Sequence, residues 1–456
     1  MDWQSGRKLK DILNKRAWGI VAITLVARAA VCQPVLPAAG KERLYIGTYT
    51  SAASRGIYQS SLDLAAGTFG ATNLAAIMGN PSFLALHPTA KFLYAVDEGG
   101  GSVMAFSAER STGALTWLNQ QPSGGAAPCH LVVDSAGKNL LVANYTGGSI
   151  TVFPIQPDGQ LGPATAHIQH PGSSPHAHCI TLDAANRFAL VCDLGLDRIY
   201  CYRFDSAQGT LTTNSVPWTS VPVGAGPRHL AMDPSYRRAY VICELNSTII
   251  GYNYDPQVGV LNLFQTISSI PSGWNGINAA AEIAVHPSGK FLYASNRGYN
   301  SVAVFAVDEA SGALKAVQQQ AVGQTPRHFA IEPSGAFCLV ANQDSDSILV
   351  YAIDPQNGTL TPSGQKLQIS KPVCVLPIIT QAPQPVMALR SLPAEAVEID
   401  ISKGLSSLTY QIYHAPALQS RLSWSLLATG MRGQTNFILT NVSSSGFFRA
   451  NVLTNY

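Results

Sequence analysis

The side chains best suited to chemistry fall in five short segments: SPHAH (174–178), GPRH (226–229), CEL (243–245), NRG (296–298) and TPRH (325–328). They supply the imidazoles of His176 and His178, the guanidiniums of Arg228, Arg297 and Arg327, and the carboxylate of Glu244. An imidazole titrates near neutral pH and can take a proton from water. A guanidinium docks a carboxylate or phosphate through two parallel bonds and stabilises an oxyanion forming on a carbonyl. Together these groups suit the opening or closing of a lactone that carries an anionic group. The plainer alternative is a packed edge histidine at His178 and a structural Arg228–Glu244 ion pair. Other routes lack their motifs: there is no G-x-S-x-G, HExxH, P-loop or EF-hand pattern. No CxxC or spaced Cys/His set points to zinc, so neither metal nor cofactor is expected.

A repeat positions these residues. One unit of about 47–50 residues recurs seven times. Clear copies are HLVVDSAGKNLLVANYTGGSITVF (130–153), HLAMDPSYRRAYVICELNSTIIGY (229–252), IAVHPSGKFLYASNRGYNSVAVF (283–305) and FAIEPSGAFCLVANQDSDSILVY (329–351). Each reads as an apolar run, a polar turn, a second run ending in a polar residue, a loop and a third run ending in an aromatic. A weaker fourth run follows Gly-x-Leu, as in Gly312-Ala-Leu314 and Gly358-Thr-Leu360. Four short strands per repeat predict an all-β, seven-bladed propeller, because a single blade cannot bury both faces without neighbours. The first unit, Arg43–Leu74, has three strands, and the orphan run PVCVLP (372–377) is expected to complete it.

Aligned repeats define two rings. The second run of each blade ends in Thr48, Asp97, Asn144, Asp193, Glu244, Asn296 or Asn342, predicted to form a polar collar at one channel mouth. The alternative for the Asn and Thr members is turn capping. The first run opens with Ser82, Cys129, His178, Arg228, Ala281 or Arg327. Antiparallel pairing then sets His178 beside Asp193, Arg228 beside Glu244 and Arg327 beside Asn342. The catalytic candidates are His178, His176, Arg228, Glu244 and Arg297. Asp193, Arg327, Asn342, Asn296 and Asn144 are the expected substrate contacts. His130, His229 and His328 recur at one strand position and read as blade-packing residues.

Charged residues make up only 12% of the chain and the formal net charge is +3, so nucleic-acid binding has no electrostatic footing. Arg7, Lys8, Lys10, Lys15 and Arg16 precede an apolar stretch, Ala17–Ala27, too short to span a bilayer, and Ala27-Arg-Ala29 offers a cleavage site. Residues 1–29 are therefore expected to be a signal peptide. The protein would be exported to the periplasm or medium, with no stable membrane insertion after cleavage; the alternative is a cytoplasmic protein with a non-functional leader. Cys192, Cys243 and Cys338 sit in apolar runs and read as buried thiols, and Cys179 and Cys192 could meet in one disulfide. The propeller is assigned to 41–379, a linker to 380–396 and a small β module to 397–456.

The region 41–379 resembles the seven-bladed β-propeller lactonases, a family that includes 6-phosphogluconolactonase and a carboxymuconate lactonising enzyme. The resemblance rests on YIGTYT (45–50), SPHAHC (174–179), FALVCDLGLDRI (188–199), GPRHLAMDP (226–234), CELNST (243–248), NRGYNSV (296–302), TPRHFAIEPSG (325–335) and ANQDSDSI (341–348). It implies a metal-independent lactone hydrolase, with a small-molecule lactone as its partner. The family's catalytic positions fall on His176 or His178, Arg228, Glu244 and Arg297. Cys243, Tyr299 and Asn300 depart from the family pattern beside those positions. The resemblance thus implies a lactonase more firmly than one particular sugar lactone. The competing readings are a lactonising lyase or isomerase using the same groups in reverse, and a non-catalytic secreted binding propeller.

Overall fold

The computed structural model describes residues 40–51, 53–378 and six strands between residues 386 and 453. The proposed signal segment lies outside the described residues. Seven antiparallel sheets form the blades. Six follow the chain in simple order, for example Ala177–Leu182, Phe188–Asp193, Arg198–Asp205 and Thr210–Ser220. The remaining blade joins the two ends of the propeller: Pro372–Ile378 pairs with Lys41–Thr48, matching Leu376 to Tyr45 and Val375 to Ile46. Its outer edge is split between Thr68–Phe69 and Asn73–Ile77. Each innermost strand contacts the innermost strand of the next blade, and the last contacts the first, so the ring is closed.

Blades adhere through apolar side chains pointing out of both sheet faces. Leu190, Cys192 and Ile199 pack with Val241, Cys243 and Ile250, all essentially buried. Full burial of such a side chain contributes roughly 1.5–3 kcal/mol. A second device explains the Gly-x-Leu signal. Tyr45, Tyr94, Tyr240 and Tyr293, mid-way along second strands, donate their hydroxyls to the carbonyls of Gly113, Gly159, Gly312 and Gly358 in the next blade. These glycines have φ between 76° and 86°, a turn geometry that a side chain would strain.

Cys179 and Cys192 face each other across paired strands, as expected, but both are free thiols. Beyond residue 380, Val386–Leu392 pairs with Ala396–Ser402, which pairs with Asn436–Leu439. Thr409–Ala415 pairs with both Ser425–Thr429 and Phe447–Leu453. The stretch read as a linker thus contributes a strand of its own. No helix among the described residues is long and apolar enough to cross a membrane.

Candidate functional site

Six of the seven innermost strands carry a β-bulge near their start. The register skips Cys129, His178, Arg228, the Ala281–Glu282 pair, Arg327 and Val373. A bulge re-aims the extra side chain away from the sheet's regular alternation. Here it turns it towards the axis: Cys129, His178, Arg228, Arg327 and Val373, with Ser82 of the second blade, line one small cavity. The next residue along each strand supplies a deeper layer, in which Phe83, His229, Glu282 and His328 line the same cavity.

The bulges decide which expected pairs form. Arg228 Nε lies 3.0 Å from Glu244 Oε2, and Arg297 Nη2 lies 2.8 Å from the same oxygen. Arg228 Nη1 donates to Ala281 O at 2.6 Å, and Arg297 donates to Ala279 O and Ala280 O. One carboxylate thus bridges two guanidiniums. Arg327 stands over the Tyr49 ring, 5.3 Å from its centroid, and Tyr49 donates its hydroxyl to Glu98.

The His178–Asp193 pair does not form. Ala177, not His178, sits opposite Asp193, because His178 is the bulged residue. Asp193 is fully buried; its Oδ2 meets His170 Nδ1 at 2.6 Å, and its Oδ1 accepts from the amides of His176, Gly195 and Leu196. It caps its loop. Three other collar residues are engaged internally in the same way. Asn144 donates to Ser123 O and Ser149 Oγ, Asn296 to Ser269 O and Ser301 Oγ, and Asn342 to Val340 O and Ser347 O. All three are fully buried, and Asn342 does not pair with Arg327. Short polar side chains at strand ends satisfy nearby backbone groups in this way. Of the collar, Glu244 alone holds the site's cations.

The recurrent histidines are corrected as well. Their rings meet around the axis rather than between blades. Phe83 is 4.1 Å from His130, His130 is 5.3 Å from His229, and His178 is 5.0 Å from His229, centroid to centroid. Glu282, which the sequence reading passed over, joins them: its Oε1 lies 2.9 Å from His229 Nδ1 and its Oε2 3.5 Å from His328 Nε2. His176 sits higher, stacked on Tyr145 at 4.6 Å, with both ring nitrogens engaged, by Ser174 Oγ and by Tyr145 O.

Several cavity-lining groups are buried with no protein hydrogen-bond partner: Ser82 Oγ, His178 Nδ1, His229 Nε2, Glu282 Oε2 and Arg228 Nε, which is near Glu244 but not aimed at it. Buried polar atoms are normally satisfied, so a cluster of orphans marks a place for ligand or water. Burial, then the Arg228 charge, holds His178 and His229 well below the usual histidine range. Burial also takes His328 down to about 4, and, with Arg228, takes Arg297 down to about 10. Lowered values leave these imidazoles uncharged at neutral pH. A larger cavity, about 660 Å³, lies at the first blade's edge among Lys41, Arg43, Gln59 and Arg110. Arg43 there is spent on the carbonyls of Arg110 and Ser111, and no imidazole lines it, so the axial cavity is the better chemical site.

Residues 43–377 match a protein-family model described as a seven-bladed β-propeller lactonase. A 6-phosphogluconolactonase of Bacillus subtilis (strain 168) is 36% identical over 295 residues, covering 62% of this chain and 83% of that one. The structure of a periplasmic gluconolactonase of Pseudomonas aeruginosa superposes with a TM-score of 0.72 at 31% identity, covering 75% of this chain and 100% of that one. A protein of Lactobacillus plantarum superposes with a TM-score of 0.70 at 36% identity, over 75% and 100% of the two chains.

Proposed function

The chain belongs to the seven-bladed β-propeller lactonases, and from that membership we propose that it hydrolyses an anionic sugar or organic-acid lactone at the axial cavity. The observation that carries this reading is the Arg228–Glu244–Arg297 bridge standing over unpartnered imidazole nitrogens. Arg228 and Arg297, with Arg327 across the channel, hold the substrate's anionic group and polarise its carbonyl. Glu244 keeps two guanidiniums in register until the substrate's own charge arrives. An imidazole on the floor receives the proton of the attacking water. The engagement of both His176 nitrogens supports His178 as the imidazole that contacts this water.

Export supports a substrate other than a phosphorylated intracellular sugar lactone. It rests on the basic and apolar N-terminal pattern and on the likeness to a periplasmic gluconolactonase. Turnover of a lactone panel, with and without chelator, tests the reaction. No hydrolysis of any lactone would leave a binding propeller, and net ring closure would leave a lactonising enzyme. Fractionation with N-terminal sequencing tests export, and an intact Met1 in the cytoplasmic fraction would refute it.

A further inference from the structure

The proposed hydrolysis needs one imidazole of the axial cavity as its base. The whole axial cavity has about 10 Å³ open to the centre of a water molecule, close to the room one water needs. His178 Nδ1, His229 Nε2 and Glu282 Oε2 belong to its lining residues and have no protein hydrogen bond, although Glu282 Oε2 stands 3.5 Å from His328 Nε2. A water there would find the two to four polar contacts that a buried water makes.

These two imidazoles are not equivalent. No carboxylate orients His178, because Asp193 is committed to His170. His229 has one: Glu282 Oε1 lies 2.9 Å from its Nδ1. The same Oε1 accepts from the amide of Ile283 at 3.1 Å, a group that can only donate. With Glu282 acting as a carboxylate, Oε1 accepts both bonds, so Nδ1 carries the hydrogen and the lone pair of His229 is on Nε2. A base held in one tautomer by a carboxylate behind it is the arrangement that activates a nucleophile.

We propose that His229, oriented by Glu282, is the general base of this site, and that His178 orients the hydrolytic water through Nδ1. The inference rests on the lactonase reading and names the group that serves it. The water oxygen bonds to the lactone carbonyl carbon while its proton moves to His229 Nε2. The bond from that carbon to the ring oxygen then breaks, and the proton passes from His229 to the departing alkoxide. Glu282 is a positioning residue that acts through His229. The charged and titratable groups facing His229 are Arg228, Arg297 and Arg327, which disfavour its protonation, His130, His178 and His328 around it, and Glu282, which favours it.

The test compares three variants of the full chain on a lactone that the wild type turns over. His229→Gln should lower kcat by about 10²–10⁴-fold, the usual worth of a general base. His178→Gln should cost less in kcat. Glu282→Gln should lower kcat with KM unchanged and move the acidic limb of the kcat profile to lower pH, because an imidazolium without its carboxylate loses its proton more easily. A merely structural Glu282 would not move that limb. Imidazole ¹⁵N shifts of the wild type provide a readout that needs neither turnover nor a folded variant, and they should show His229 protonated at Nδ1 and bare at Nε2. Kcat of His229→Gln within twofold of wild type, an unmoved acidic limb in Glu282→Gln, or a His229 protonated at Nε2 would each overturn the proposal. Absence of wild-type turnover on every lactone would instead defeat the lactonase reading, with the nitrogen shifts still deciding the dyad.

Discussion

Glu244→Gln separates the cost of a charge bridge from its use. In the wild type one carboxylate oxygen lies 3.0 Å from Arg228 Nε and 2.8 Å from Arg297 Nη2. The side chains are 3%, 13% and 20% exposed for Arg228, Arg297 and Glu244, so water screens the bridge only in part. Removing one partner of a fully buried pair costs about 3–5 kcal/mol, since the remaining charge stays uncompensated. Partial access at Glu244 puts the loss near the lower end, about 3 kcal/mol. With an unfolding entropy of about 2.1 cal/mol/K per residue, a propeller of this length should then lose about 4 °C in Tm.

The same substitution frees two guanidiniums. An added anion should replace the lost carboxylate, so phosphate or gluconate should raise the Tm of the variant more than that of the wild type. Scanning calorimetry of both proteins across an anion titration measures the two effects together. Turnover should fall as well, because guanidiniums without their bridge no longer keep one geometry for the oxyanion. An unchanged Tm together with equal anion shifts would refute the reasoning and leave the bridge a surface contact of no consequence.

Arg297→Ala should raise KM for an anionic lactone far more than for a neutral lactone of the same ring, and equal effects in matched kinetics would return Arg297 to a structural role. Ending the chain after residue 380 should leave the propeller's thermal transition in place, whereas ending it after residue 371 removes the strand paired with Lys41–Thr48 and should abolish the cooperative transition. Glu42 is buried, and that burial, followed by the charge of Glu332, pushes its carboxyl well above the usual carboxylate range. A raised folded pKa gives stability that is complete below the unfolded value and is lost as pH rises through the folded one. Glu42→Gln should therefore gain Tm over the wild type as pH climbs beyond the ordinary carboxylate range, and parallel Tm curves would count against the assignment.

The sequence made the blades legible because one unit recurs, and repetition turns a weak strand signal into a strong one. Closure was legible from an orphan run, PVCVLP, and a three-stranded first repeat, and its register now joins Val375 to Ile46. The ring of channel residues was found by counting, yet the same counting mis-paired His178. Regular antiparallel logic holds along a strand only until a bulge inserts a residue. Polar periodicity could not reveal that His178 is the inserted residue while Asp193 turns away to cap its loop.

The deeper layer was hidden by a different assumption. His229 and His328 recur at one position, and recurrence reads as packing when each blade is considered alone. Around a closed axis the equivalent position of every blade converges, so a repeated polar residue becomes a cluster. Glu282 occupies the column of His130, His229 and His328, one residue past Ala281, and the alignment of AEI with CHL, RHL and RHF already contained it. A carboxylate standing in a column of imidazoles has no reason to serve packing. In this fold the informative residue is the one that breaks the repeat's chemistry while keeping its place, and Glu282 does so beside the one imidazole whose outer nitrogen it leaves free.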